Sequence, residues 1–156
     1  MKSVKHPHVL IREYIPSDKE EVLLLFRENC PDYFAPEEEK HLRNYLDHER
    51  EEYFVLELNA RIVGCGGINF GVGGRTGIIS WDMLHPDFHR MGLGSLLLKH
   101  RLSRLRNIHE VEGIIVRTSQ LSWKFYQKSG FELREIIPDF WAKGFDLYRM
   151  EFVEMS

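Results

Sequence analysis

Trp81-Asp82-Met83-Leu84-His85-Pro86-Asp87-Phe88-His89-Arg90-Met91-Gly92-Leu93-Gly94-Ser95-Leu96-Leu97-Leu98 reads as a strand that ends in a glycine-bearing loop and continues into a helix. Ile78 to Leu84 is extended in character, Pro86 stops it, and Leu96, Leu97, Leu102 and Leu105 recur with helical spacing. At Gly92 and Gly94 no side chain shields the backbone amides from a bulky anion, and the helix start adds unpaired N–H groups and a positive dipole end. From Arg90 through Lys99, Arg101, Arg104 and Arg106 there is no carboxylate, so such an anion also meets a basic helix. This is the chemistry of a pyrophosphate cradle. The same residues also suit a plain strand-to-helix turn with a solvated basic face, and the glycines alone do not choose between the two.

Upstream, Val9 to Tyr14 suits a first strand, and Ser17-Asp18 caps a helical run through Val22, Leu23 and Phe26. Pro36-Glu37-Glu38-Glu39 opens a second helix with Leu42, Tyr45 and Leu46 as its apolar stripe. Tyr53 to Leu58 and Arg61 to Phe70 form a hairpin about Asn59-Ala60. Downstream, Val111 to Arg117 is a strand and Ser119 begins a helix closed by Ser129-Gly130. Phe131 to Ile137 and Phe145 to Val153 are the last strands. The order is β-α-α-β-β-β-α-β-α-β-β. It predicts an α/β (α+β) domain over residues 1–156, with one mixed, mostly antiparallel sheet and helices on both faces.

Composition agrees with a globular chain. Of 156 residues, 43% are hydrophobic and 29% charged, with a net charge of -3, so nothing draws the molecule as a whole to nucleic acid. Apolar runs such as Val22 to Phe26 are far below the roughly 18 residues that span a bilayer, so no membrane role is expected. Met1 to His8 is polar and unlike a secretory signal, which makes a cytoplasmic location the expectation. Cys30 and Cys65 lie far apart with no identifiable base and read as small hydrophobes rather than a disulfide, zinc or nucleophile pair.

Two motifs carry a family resemblance. Leu84-His85-Pro86 followed by His89-Arg90-Met91-Gly92-Leu93-Gly94 resembles motif A of the GNAT superfamily of acetyl-CoA-dependent N-acetyltransferases, V-x-P and then Q/R-x-x-G-x-G/A, with His89 at the Gln/Arg position. Phe125-Tyr126-Gln127-Lys128-Ser129-Gly130-Phe131 resembles motif B, Y-x-x-x-G-F, with Ser119 where many members carry Asn. The resemblance implies that acetyl-CoA lies along Met83 and Leu84 and the loop of His89, Arg90, Met91, Gly92, Leu93, Gly94 and Ser95, with Ser119 near the pantetheine arm. It further implies that the Leu84 amide polarises the thioester carbonyl and that Tyr126 faces the sulfur and protonates the departing thiolate. A phenol, with a reference pKa of about 10, keeps its proton at neutral pH.

An amine must be neutral to attack a thioester, so a base is also sought. Asp82 shares a strand face with Leu84 and is the first candidate, an ordinary strand-end aspartate being the other reading. His85 and Glu112 are weaker candidates, and Glu110 is expected in solvent. His85 and His89 flank a proline and do not make a metal pair, so no metal is expected. Gly64-Cys65-Gly66-Gly67 reads as sheet turns or a bulge.

The acceptor is expected to be an amine of a small molecule or peptide. The acidic run through Glu20, Glu21, Glu28, Asp32, Glu37, Glu38, Glu39 and Asp47 fits a cationic acceptor and equally fits two solvated helix faces. Pro138 to Gly144 reads as an aromatic loop that closes over the acceptor, contacts a second copy in a homodimer, or covers the core. A binding module that keeps the cradle without chemistry is the rival function.

Overall fold

The computed structural model describes residues 8–153, and the polar Met1 to Pro7 segment read above lies outside them. The elements are β1 (Val9–Glu13), α1 (Lys19–Glu28), α2 (Glu39–Asn44), β2 (Glu52–Leu58), β3 (Arg61–Phe70), β4 (Thr76–Leu84), α3 (Leu93–Arg106), β5 (Gly113–Thr118), α4 (Trp123–Lys128), β6 (Phe131–Ala142) and β7 (Phe145–Phe152). They build one seven-stranded sheet in the order β1-β2-β3-β4-β5-β7-β6. Every pairing is antiparallel except β4 with β5. That pair is parallel because α3 crosses over between its strands.

The sheet has a core on each face. Val22, Leu23 and Phe26 of α1, Leu42 of α2 and Tyr45 just after it pack on Val55, Cys65 and Met83. Leu97, Leu98, Leu102 and Leu105 of α3 and Tyr126 of α4 pack on Ile68, Ile79, Val116 and Met150. Ile79 and Met83 are four apart on one strand, yet they enter opposite cores. The cause is a bulge: β3 advances from Cys65 to Gly67 while β4 passes from Met83 to Ser80, and Trp81 takes a φ of 46°. One extra residue inverts the side-chain alternation, turning Trp81 toward α1 and α2 and Asp82 toward α3 and α4.

Several boundaries differ from expectation for local reasons. Asp18 does not cap α1; its carboxylate turns back to the Ile15 amide and to Arg12, closing a short 3-10 turn. The helix expected from Ser119 starts at Trp123, because the Ser119 carbonyl takes the Ser122 and Trp123 amides in a tight turn. β6 continues through Pro138 to Ala142 instead of yielding to a loop. It is an edge strand, where a residue without an N–H breaks no ladder. Gly64 to Gly67 lie inside β3, not in a turn.

Candidate functional site

β4 and β5 pair only from Thr76 to Ile79 and from Gly113 to Val116, then separate. The gap is the heart of a cleft of about 550 Å³. Ser80, Trp81 and Asp82 of β4, Arg117 and Thr118 of β5 and Ser119 after it form its sides. The segment from Tyr33 to Tyr45 walls one side, and Phe140, Trp141 and Phe145 of the β6-β7 hairpin wall another. That hairpin is fastened down. Gln120 donates to the Gly144 carbonyl (2.7 Å) and accepts from the Asp146 amide (2.9 Å), while Trp141 Nε1 donates to the Thr118 carbonyl (3.0 Å).

A buried polar chain reaches the cleft from α3. Arg101 is 1% exposed and bonds to the Leu97 and Gly67 carbonyls, and its guanidinium ion-pairs with Asp82 Oδ1. Asp82 Oδ2 accepts the Tyr126 hydroxyl at 2.5 Å. Gly66 makes room for this chain: a Cβ there would collide with the Asp82 carboxylate and lie 2.6 Å from Arg101 Nη1. Burial first, and then the Asp82 charge, push the Tyr126 phenol well above its ordinary value. Tyr126 is therefore a phenol at every working pH, and its proton points at a carboxylate.

Asp82, Ser119 and Tyr126 thus share the cleft, whereas the other residues predicted for catalysis or for acetyl-CoA do not line it. Met83 and Leu93 are buried in the two cores and leave only backbone available. The Leu84 backbone is well placed for this. His85 N–H bonds to Val63 in β3, so by strand alternation the Leu84 N–H and carbonyl face away from β3, into the gap. His89 bends back, its Nε2 donating to the Leu84 carbonyl at 3.0 Å and its ring meeting Tyr33 edge-on. It therefore braces the strand end rather than reaching the loop. Arg90, Met91 and Gly92 are exposed ahead of α3, with Gly92 in the left-handed region (φ 81°) and open space about its Cα. Gly94 and Ser95 follow in its first turn, whose amides have no partner within the helix. These features fit an anion with an extended arm entering the gap.

The basic helix is less open than its sequence implies. Arg101 is buried with Asp82, and Arg104 pairs with Glu52. The Ser119 hydroxyl accepts the Leu121 amide at 3.2 Å.

The base candidates also change. Both Asp82 oxygens are engaged, one by a buried guanidinium and one by a phenol, so this carboxylate holds Tyr126 instead of standing free for an amine. His85 lies outside the cleft, accepting the Asp87 amide, and Glu112 pairs with Arg75 in solvent. Burial pushes the Cys65 thiol up to about 12, consistent with a core residue.

A residue not singled out is Glu38. It lines the cleft at 5% exposure; Oε2 accepts the Ala35 amide and Oε1 makes no hydrogen bond among the described residues. Burial raises its carboxyl above the ordinary value, against the pull of that amide. Pro36 two residues before it was the available signal, since it sets a tight turn whose third residue folds back.

The comparisons agree with this geometry. The acetyltransferase (GNAT) family model matches residues 21–131. An acetyltransferase of Yersinia enterocolitica is 28% identical over 131 residues, covering 81% of this chain and 90% of the relative. An amino-acid acetyltransferase of Pasteurella multocida is 24% identical over 102 residues, 64% of this chain but only 23% of that protein. In fold, an aminoglycoside 6'-N-acetyltransferase complexed with coenzyme A superposes with a TM-score of 0.74 at 13% identity, covering 94% of this chain and 99% of that one. With motif A at the splayed strands and motif B carrying Tyr126 into the cleft, the chain belongs to the GNAT acetyltransferase family.

Proposed function

We propose that this protein transfers the acetyl group of acetyl-CoA to a primary amine of a small molecule or peptide by direct attack in a ternary complex. The observation that carries the reading is the β4-β5 gap, into which the Leu84 N–H faces and beside which Tyr126 lines the cleft. A fold neighbour that holds coenzyme A supports the choice of donor.

Acetyl-CoA supplies an activated acyl group and a good leaving group. The loop from Arg90 to Ser95 and the α3 amides take its phosphates, and the Leu84 N–H faces the carbonyl oxygen as charge builds there. The amine nitrogen bonds to the acyl carbon as the C–S bond breaks. The ammonium form of the acceptor gives up two protons in all, one balanced by the proton that ends on the freed sulfur and one released to water. Tyr126 delivers hydrogen-bonding, and then a proton, to the departing sulfur, and regains its proton from solvent. Because its proton is otherwise held by Asp82, the role of Asp82 is to aim the phenol, and the role of Arg101 is to hold the Asp82 carboxylate in place. Holding two reactants in one geometry supplies much of the acceleration.

The test is titration with acetyl-CoA by calorimetry followed by thiol release against a panel of amines. Binding with amine-dependent release supports transfer; binding without release on any amine favours a regulatory module, and absence of binding removes the reading altogether.

A further inference from the structure

Arginines on this molecule are generally matched by carboxylates: Arg104 by Glu52, Arg134 by Glu132 and Glu151, Arg149 by Glu135 and Glu151. Arg117 has no carboxylate among the described residues, although it lines the cleft. It is nonetheless held. Its guanidinium lies 5.4 Å from the centre of the Phe140 ring and 5.7 Å from that of Trp141, and the Trp141 indole is itself tied to the Thr118 carbonyl. Ile114 and Val116 face the α3 core, so alternation turns Arg117 to the opposite face, away from the α3 loop that the phosphates would use. Arg117 is exposed at the acceptor side, held by two rings and without a carboxylate partner, and an anion entering the cleft is the partner it can take.

Glu38 offers the opposite charge in the same cleft. It is held in the Pro36–Glu38 turn, against which packs β6, the strand that carries Phe140 and Trp141. Its Oε1 is left without a protein partner in a side chain that is almost wholly buried. That oxygen is open to the cleft, where an ammonium can reach it and pair with the carboxylate.

Resting on the acetyl-transfer reading, we infer that the acceptor is an amine that also carries a carboxylate, an amino-acid-like zwitterion, with its acid group on Arg117 and its ammonium on Glu38. The volume of about 550 Å³ suits a small molecule, and Phe34, Trp81 and Phe140 around it favour an apolar side chain.

The experiment compares matched acceptors differing only in the carboxylate, phenylalanine against phenethylamine and leucine against isoamylamine, by thiol release at saturating acetyl-CoA. The wild type should favour the amino acid by at least about tenfold in kcat/KM, the worth of a charge-assisted contact. Arg117→Gln should abolish that preference by raising KM for the amino acid, leaving KM for phenethylamine and acetyl-CoA unchanged, and Arg117→Lys should restore part of it. Glu38→Gln should raise KM for both members of a pair. Equal or better turnover of the plain amines, or equal loss on both by Arg117→Gln, would overturn the inference while leaving acetyl transfer intact. If no thiol is released, equilibrium binding of phenylalanine and phenethylamine to the protein loaded with coenzyme A decides: preference for phenylalanine that depends on Arg117 supports the inference, and its absence removes it.

Discussion

The Tyr126 hydroxyl donates to Asp82 Oδ2 at 2.5 Å, and the other oxygen of the same carboxylate is paired with an arginine that is 1% exposed. The phenol is therefore not a loosely placed tyrosine on a helix face. Its orientation is set by a charge that is itself set by another charge, and the chain ends on the Gly67 and Leu97 carbonyls.

If the phenol serves the leaving sulfur, Tyr126→Phe should lower kcat by about 10²-fold or more, the usual worth of a positioned proton donor. KM for acetyl-CoA should hold nearly constant, because the loop and strand amides that bind it are untouched. Thiol release over a range of pH checks this, with cofactor binding confirmed by calorimetry. A variant that keeps its turnover and its pH profile would sink the role.

Arg101→Met should destabilise the fold by about 3–5 kcal/mol, since it strands a carboxylate in the interior without its countercharge. Replacing both members, Arg101→Met with Asp82→Leu, should recover much of that loss while leaving activity depressed. Urea unfolding of the wild type, both single variants and the double variant measures the coupling directly. Additive losses would mean that the two side chains do not act as a pair.

Element order was readable because hydrophobic period and turn chemistry are local. The glycine loop before α3 was readable from residue type as a cradle or a plain turn, and the resemblance to motifs A and B chose between them and singled out Tyr126. What could not be read was the inversion of β4 at Trp81. A bulge leaves no mark on the alternation of one strand, and only with β3 beside it does Asp82 turn toward Arg101, 19 positions away. Gly66 was read among sheet turns or a bulge, and the register does shift beside it, but the space it leaves could not be read because the carboxylate and guanidinium it accommodates come from two distant segments. Glu38 was hidden among neighbouring acids, since burial is not a property of composition.

The Gly66 explanation makes a contrast that can be measured. Gly66→Ala should cost about 1–3 kcal/mol or more and reduce activity, because the added methyl meets the Asp82 carboxylate and the Arg101 guanidinium, neither free to move. Gly113→Ala, also on a strand of this sheet, has open space where the methyl would go and should be close to neutral. Thermal unfolding of the two variants tests this, and equal effects would mean that the glycine in β3 answers to strand geometry alone.

Gln120 makes a separate prediction about the acceptor wall. Its side chain bonds twice to the hairpin, so Gln120→Ala should loosen Phe140 and Trp141 and raise KM for the amine with KM for acetyl-CoA unchanged. Two hydrogen bonds at about 1 kcal/mol each set the upper scale, a change of roughly thirtyfold. Steady-state kinetics with each substrate varied in turn checks it. A rise in KM for acetyl-CoA alone would place the hairpin on the donor side.

Glu38 ties stability to pH in a direction opposite to that of a surface-paired carboxylate. Burial raises its carboxyl above the value of 4.5 expected in an unfolded chain, so the folded protein holds that proton to higher pH. The associated stability is present below the unfolded value and is lost as pH rises through the folded one. Glu38→Gln keeps an oxygen for the Ala35 amide but carries no charge to desolvate. Its stability should therefore match the wild type in acid and exceed it at neutral pH, the gap opening across the interval between the two values. Urea unfolding at a series of pH values shows whether the gap opens. A gain at neutral pH together with a weaker hold on the amine would mean that the buried charge is maintained against the fold's own preference for the sake of the acceptor. A loss at neutral pH would mean that Glu38 serves the Ala35 turn and nothing beyond it.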